Sequence, residues 1–330
     1  MGWIWIALVS FALIASVFLA VHHAEVVAHK VGEPFGTLIL AMSVTVIEVA
    51  LIVSMMLSGR ETTSALARDT VFATVMIVSN GVIGVCLLAG SLRYQVLVFR
   101  VEGTSSALAV LIALTVLTLV LPALTTTTSG PTFSTSQLAF AGIMSVALYA
   151  VFLFVQVVRH RDYFLPVGGG EEQHAAPPST RKTLISLAVL LVALVAVVAL
   201  AKLLSPSIEN GVAAASAPPS VVGIAIALLV LLPETWAALR AALRNRMQTS
   251  LNLALGSALA TIGLTIPAVA VAAILADLPL TLGLPSKDVT LLALTWLISV
   301  VTLASGRATV LHGAVHLMLF AVFLFLSVVP

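Results

Sequence analysis

The chain has 330 residues, of which 61% are hydrophobic and only 8% charged, and its formal net charge is +2. A soluble domain carries about 25% charged residues, so this chain lacks the polar surface that a water-soluble fold requires. Its mean hydropathy of +1.19 assigns it to the polytopic all-α membrane proteins. The small net charge offers no footing for nucleic acid, and a lone cysteine, Cys86, excludes an internal disulfide.

A helix needs about 20 apolar residues to cross the hydrocarbon. Ten stretches satisfy this in chain order: 3–21, 36–58, 69–91, 104–124, 136–158, 183–204, 217–240, 250–276, 288–304 and 308–328. The first lacks the basic n-region and the A-x-A-type cleavage site of a secretory signal, and reads as a retained helix. Trp3, Trp5 and Trp296 read as interface anchors. Residues 159–182, RHRDYFLPVGGGEEQHAAPPSTRK, form the only long polar stretch and carry no catalytic motif. They act as a linker between a first five-helix half (1–158) and a second (183–330).

Loops after odd-numbered helices hold eleven Lys and Arg residues, and loops after even-numbered helices hold four: Arg60, Arg68, Lys202 and Lys287. The positive-inside tendency places the linker in the cytoplasm and both termini outside. Because five is odd, the second half enters the membrane from the opposite side to the first. Two five-helix halves of inverted topology are a common plan of secondary transporters.

The second helix, within TLILAMSVTVIEVALIVSMML (37–57), contains one charged residue, Glu48. An ionised carboxylate near the centre of a bilayer is costly, and intramembrane acids mark ion pathways or proton relays. The second helix of the second half, SVVGIAIALLVLLPETWAALRAAL (220–243), also contains one acid, Glu234, directly after Pro233. A single glutamate could sit at a helix end and reach water; a matched pair in two inverted halves points to function.

The third helices supply neighbours. Ser257, Thr261 and Thr265 recur at i, i+4 and i+8 and so line one helix face. Ser79 and Asn80 occupy the corresponding region of the first half, and Thr45 lies one turn before Glu48. Two carboxylates with hydroxyl and amide oxygens around them suit a hard cation. The candidate ligand set is therefore Glu48, Glu234, Thr45, Ser79, Asn80, Ser257 and Thr261, although small hydroxyl residues also serve plain helix packing in membranes. Ile-Gly pairs at 83–84 and 262–263 align the third helices with an offset of 179, whereas the two glutamates differ by 186.

In HHAEVVAHK (22–30), His22, Glu25 and His29 share a helical face, as ion-attracting groups at the cytoplasmic mouth or simply as part of an interfacial helix. The order of residues is not the H-E-x-x-H of a metalloprotease. His312 and His316, four apart in the last helix, could bind a metal, carry protons or pack through hydrogen bonds. No phosphate loop or nucleophile elbow is present, which excludes an ATP-driven pump within this chain.

The stretches HHAEVVAHKVGEPFGTLILAMSVTVIEVALIVSMML, ALARDTVFATVMIVSNGVIGV and LLPETWAALRAALRNRMQTSLNLALGSALATIGLTIPAV resemble the bacterial ChaA-type branch of the calcium/cation antiporter superfamily. The resemblance implies ten core helices in two inverted repeats, with Glu48 and Glu234 matching the paired acids that bind the cation at the midplane. It implies exchange of Ca2+, and in this branch also Na+ or K+, for protons, with no cofactor beyond the transported ions and a bacterial inner membrane as location. Better-known calcium/proton exchangers of the superfamily carry Gly-Asn four and three residues before each acid. Here Val44-Thr45 and Val230-Leu231 stand instead, which leaves Pro233 to loosen its helix by removing a backbone donor. Alternatives from other classes are a passive cation channel, a Na+/K+-only antiporter and an intramembrane metalloenzyme built on the histidines.

Overall fold

The computed structural model describes residues 3–32, 35–57, 64–166, 178–214 and 218–329. Helix α1 (Trp3–Val31) continues ten residues past its expected end at 21, because nothing in HHAEVVAHK breaks a helix. It stops at Gly32, whose φ of +74° is the left-handed conformation that glycine adopts freely at a helix C-terminus. Helices α2 (Phe35–Met56) and α3 (Leu66–Tyr94) follow. Next come α4 (Val101–Ala123) and α5 (Thr135–Arg159), which closes the first half.

In the second half, α6 (Thr180–Ala214) runs through Pro206 and past its expected end at 204. It is followed by α7 (Ser220–Ala242), α8 (Met247–Leu275), α9 (Ser286–Ala304) and α10 (Val310–Val328). Among the described residues nine helices are long and apolar enough to span a membrane, and α2 adds a shorter apolar stretch, Met42–Met56. The ten-helix all-α reading stands. Residues 167–177, the middle of the expected linker, and Arg60 lie outside the described residues.

Contacts between loops establish that the ten helices alternate in direction. On one face the short strands β1 (Leu97–Val98) and β2 (Arg307–Ala308) pair antiparallel, joining the turns after α3 and α9. On the same face Arg100 donates from Nε to the Leu165 carbonyl after α5, and Tyr94 donates to the Leu243 carbonyl after α7. On the other face, Thr281 after α8 donates from its backbone to Ser64 after α2, and Gly283 donates to Pro131 after α4. Loops after odd-numbered helices therefore meet one another, and so do loops after even-numbered ones. An odd count of five helices per half then makes the second half enter from the opposite side.

Packing is reciprocal between the halves. Helix α2 packs on α8 and α7 packs on α3; α10 packs on α3 and α5 on α8; α1 pairs with α6 and α4 with α9. The third helices form the centre. Buried residues make up 89% of the apolar window of α3 and 61% of that of α8, against 22% in α6. The peripheral helices therefore present Leu, Val and Ile side chains to lipid. Glycine lets backbones approach closely in the centre. A Cβ on Gly313 of α10 would lie 2.5 Å from the Leu88 backbone nitrogen of α3, and one on Gly223 of α7 would lie 2.8 Å from that of Thr70.

Both third helices are interrupted by a π-turn, at Ile77–Val82 in α3 and Thr261–Thr265 in α8. In α8 the cause is local: Pro267 has no N–H, and its ring would clash with the Gly263 carbonyl in a regular helix. In α3 the turn coincides with Asn80-Gly81, two residues of low helix propensity. Such turns are frequent at functional sites because they re-aim side chains. Trp296, expected at the membrane interface, is instead buried in the core at 7% exposure; Trp3 and Trp5 are exposed as expected.

Candidate cation site

The π-turn of α8 delivers the central contact. Thr265 donates from Oγ1 to Glu48 Oε2 at 2.8 Å, linking the second helix of one half to the third helix of the other. Glu48 is 1% exposed, so in the middle of the bundle its carboxylate has been stripped of water and depends on donors or a cation. Thr261, one turn before Thr265 on the same face, is a second hydroxyl partner, and Thr45 is buried one turn before Glu48. Ser43 instead bonds the Ile39 carbonyl of its own helix.

Glu234 sits opposite, within electrostatic range of both Glu48 and Glu25. Its Oε2 is buried and has no hydrogen-bond partner. Helix α7 continues through Pro233, and the missing N–H there leaves the Leu229 carbonyl without its usual intrahelical donor. The π-turn of α3 packs against α7, and within that turn Ser79 has a buried hydroxyl that also lacks a partner.

The register of the repeats explains this pairing of orphans. Glu48 and Glu234 are 186 positions apart, and so are Ser79 and Thr265. The bond made by Thr265 to one acid thus has its counterpart, by register, at Ser79, on the π-turn that packs against the helix carrying the other. The Ile-Gly alignment, with its offset of 179, places Ser79 opposite Ala258 and misses this relation.

A cavity of about 360 Å3 runs inward from the face carrying the loops after odd-numbered helices. Arg244 and Arg246 stand near its mouth, His22, Glu25 and Pro233 line its wall, and Thr249 and Leu253 of α8 point into it. Thr249, Leu253, Ser257, Thr261 and Thr265 recur every four residues, so each neighbours the next along α8. The half-buried Ser257 stands between Leu253, which lines the cavity, and Thr261, which reaches Glu48.

The structure thus gathers Thr261 and Thr265 at Glu48, one turn from Thr45, with Glu234 within electrostatic range; Ser79 lies on the π-turn packed against the helix of Glu234, and Ser257 one turn before Thr261. It does not bring Asn80 to the acids. The Asn80 amide donates to Thr295 Oγ1 at 2.9 Å, and its carbonyl faces His316 Nδ1 at 3.3 Å, so both ends are held by α9 and α10. His22 and Glu25 line the cavity, while the exposed His29 lies beyond it near the end of α1. His312 faces Thr309 at the start of α10 as part of a capping box. No group of three His, Cys, Asp or Glu with metal-binding geometry occurs among the described residues. Thr265 stood in the sequence stripe, but nothing in the stripe marked it as the member that touches Glu48; that depends on the π-turn.

The sodium/calcium exchanger protein family matches residues 1–158 and 185–329. The chain belongs to that family. It is 50% identical to protein y4hA of Sinorhizobium fredii over 322 residues, covering 96% of this chain and 87% of that one. It is 34% identical to the sodium-potassium/proton antiporter ChaA of Escherichia coli over 316 residues, covering 94% and 85%. The fold is similar to that of native YfkE, with a TM-score of 0.78 at 16% identity over 99% of this chain and 92% of that one. It is also similar to the H+/Ca2+ exchanger CAX, with a TM-score of 0.73 at 16% identity over 97% and 80%. The chain is accordingly a multi-pass membrane cation exchanger, a transporter and not an enzyme.

Proposed function

We propose that this chain is a secondary antiporter of a bacterial inner membrane that exchanges Ca2+, or a monovalent cation in its place, for protons. The observation that carries the reading is Glu48, water-stripped in the bundle centre and bonded across the halves by Thr265, with the unpartnered Glu234 oxygen facing the same region. Residues 1–158 and 183–330 form the two repeats, each supplying one acid, and the family matches fall on either side of the linker. The cavity side is the cytoplasmic side, since most Lys and Arg residues lie in the loops of that face.

Two carboxylates in a dehydrated site resist being ionised together. One Ca2+ or two protons balance them equally, so cation and protons compete for Glu48 and Glu234. Only a neutralised site crosses the apolar barrier as the repeats rock, which couples the two fluxes without a separate proton wire. Thr261, Thr265, Ser79, Thr45 and the freed Leu229 carbonyl complete the oxygen shell, with Ser257 on the way in. A Na+/K+-only reading has one specific support: a relative at 34% identity is named for those ions. Thr45 and Leu231, standing where the better-known calcium/proton exchangers carry asparagine, also take two amide oxygens away from the oxygen ligands that Ca2+ favours.

Purified protein in vesicles with an imposed pH gradient tests the proposal, with uptake of Ca2+, Na+ and K+ measured separately. Gradient-dependent uptake of one cation, lost in both Glu48→Gln and Glu234→Gln, is the expected result. Cation flux that ignores the gradient would identify a channel, and wild-type exchange in either variant would overturn the assignment of the acids.

A further inference from the structure

Behind the cation site a second polar assembly is buried where α3, α9 and α10 meet. His316 of α10 is 1% exposed, and both ring nitrogens are engaged: Nδ1 with Asn80 Oδ1 at 3.3 Å and Nε2 with Thr302 Oγ1 at 3.1 Å. Asn80 then donates to Thr295 Oγ1 at 2.9 Å, and Thr295 donates to Met76 Sδ at 3.6 Å. Since Asn80 Oδ1 can only accept, the proton of the ring is on Nδ1, and Nε2 accepts from Thr302. The result is one directed chain from Thr302 through His316 and Asn80 to Thr295 and Met76. Every member is satisfied, and a fully satisfied buried network of this kind holds its elements rigidly.

The chain grips the π-turn Ile77–Val82 at Asn80, the residue next to Ser79. On its other side that turn packs against α7, which carries Glu234. The helices also approach closely at glycine: a Cβ on Gly84, two residues past the π-turn, would come within 3.1 Å of His316 Cβ. The one titratable group near the ring is His312, one turn away on the same helix. No carboxylate faces the ring from α3 or α9, and a buried imidazolium without a counter-ion would be costly.

We propose that His316 is a positioning residue for the cation site: acting as a neutral hydrogen-bonded clamp on Asn80, it sets where the π-turn presents Ser79 to Glu234. This rests on the cation-site reading above. It assigns to α10 a role in cation affinity that the histidine pair alone did not reveal, and it removes His316 from the candidates for proton carrier or metal ligand.

The test is cation-dependent exchange in vesicles for His316→Phe and for the milder Thr302→Val, each alone and combined with Ser79→Ala, with Glu48→Gln as reference. Either single variant is expected to raise the half-saturating cation concentration roughly fivefold to tenfold, the worth of one misplaced hydrogen-bond donor. The maximal rate and the shape of the pH profile stay as in wild type, and in the Ser79→Ala background the further effect vanishes. A loss of proton coupling with unchanged half-saturation would make His316 a proton carrier and overturn the proposal. A fall in melting temperature with unchanged half-saturation in Thr302→Val would reduce the network to packing and overturn it as well. Exchange surviving in Glu48→Gln would instead remove the underlying site assignment, so the two failures are distinguishable.

Discussion

At the scale of single residues, two buried polar assemblies in the bundle are built from different side chains. Glu48, Thr265, Glu234 and Ser79 surround the bundle centre, whereas Asn80, Thr295, Thr302 and His316 are used up in bonds to one another. Adjacent residues Ser79 and Asn80 therefore belong to different assemblies. Sequence spacing treated them as one ligand pair because both are polar and both lie in the right helix. The Thr265 bond is the sharpest residue-level prediction. Thr265→Val keeps the shape and deletes the donor, and a hydrogen bond to a charged group is worth about 1.5–3 kcal/mol. At fixed pH its half-saturating cation concentration should rise roughly tenfold or more, with folding judged by an unchanged elution profile. Thr261→Val, one turn off, should do less.

At the scale of elements, the third helices matter most, and their π-turns decide which side chains reach the site. Both turns arise where a regular helix is disfavoured, by Pro267 in α8 and by Asn80-Gly81 in α3. Close packing then locks the elements: α10 touches α3 backbone to backbone at Gly313. Gly313→Ala forces those backbones apart, and overpacking of this sort costs about 1–3 kcal/mol. Its melting temperature in detergent should fall by several degrees, whereas Gly256→Ala, where an added Cβ meets nothing within 4 Å, should leave it unchanged or slightly raised. Helix lengths were largely legible in the apolar runs. Two exceptions, α1 past residue 21 and α6 past 204, arose because polar residues do not by themselves end a helix; Gly32 does.

At the scale of the whole molecule, the reciprocal packing of two halves puts one acid from each within electrostatic range of the other, and a cavity on one face is lined by Glu25 and by Pro233, the neighbour of Glu234. If protons and cation compete for those carboxylates, the half-saturating cation concentration must rise as pH falls on the cation-loading side. Saturating cation must then restore the same maximal rate. Initial rates at several pH values in vesicles check this; a maximal rate that falls with pH at unchanged half-saturation would mean that protons act somewhere other than the cation site.

Sequence alone determined the membrane class and the run of ten helices and singled out the two acids, because hydrophobic length and the cost of a charge in hydrocarbon are properties of a segment by itself. What only the tertiary structure decided was which oxygens share the site with those acids. Thr265 rather than Asn80 reaches a glutamate, Trp296 is core rather than interface, and His316 is tied to α3 and α9. Those outcomes depend on the rotation of one helix against another. A π-turn alters that rotation by a fraction of a turn, and the periodicity of a single segment carries no record of it.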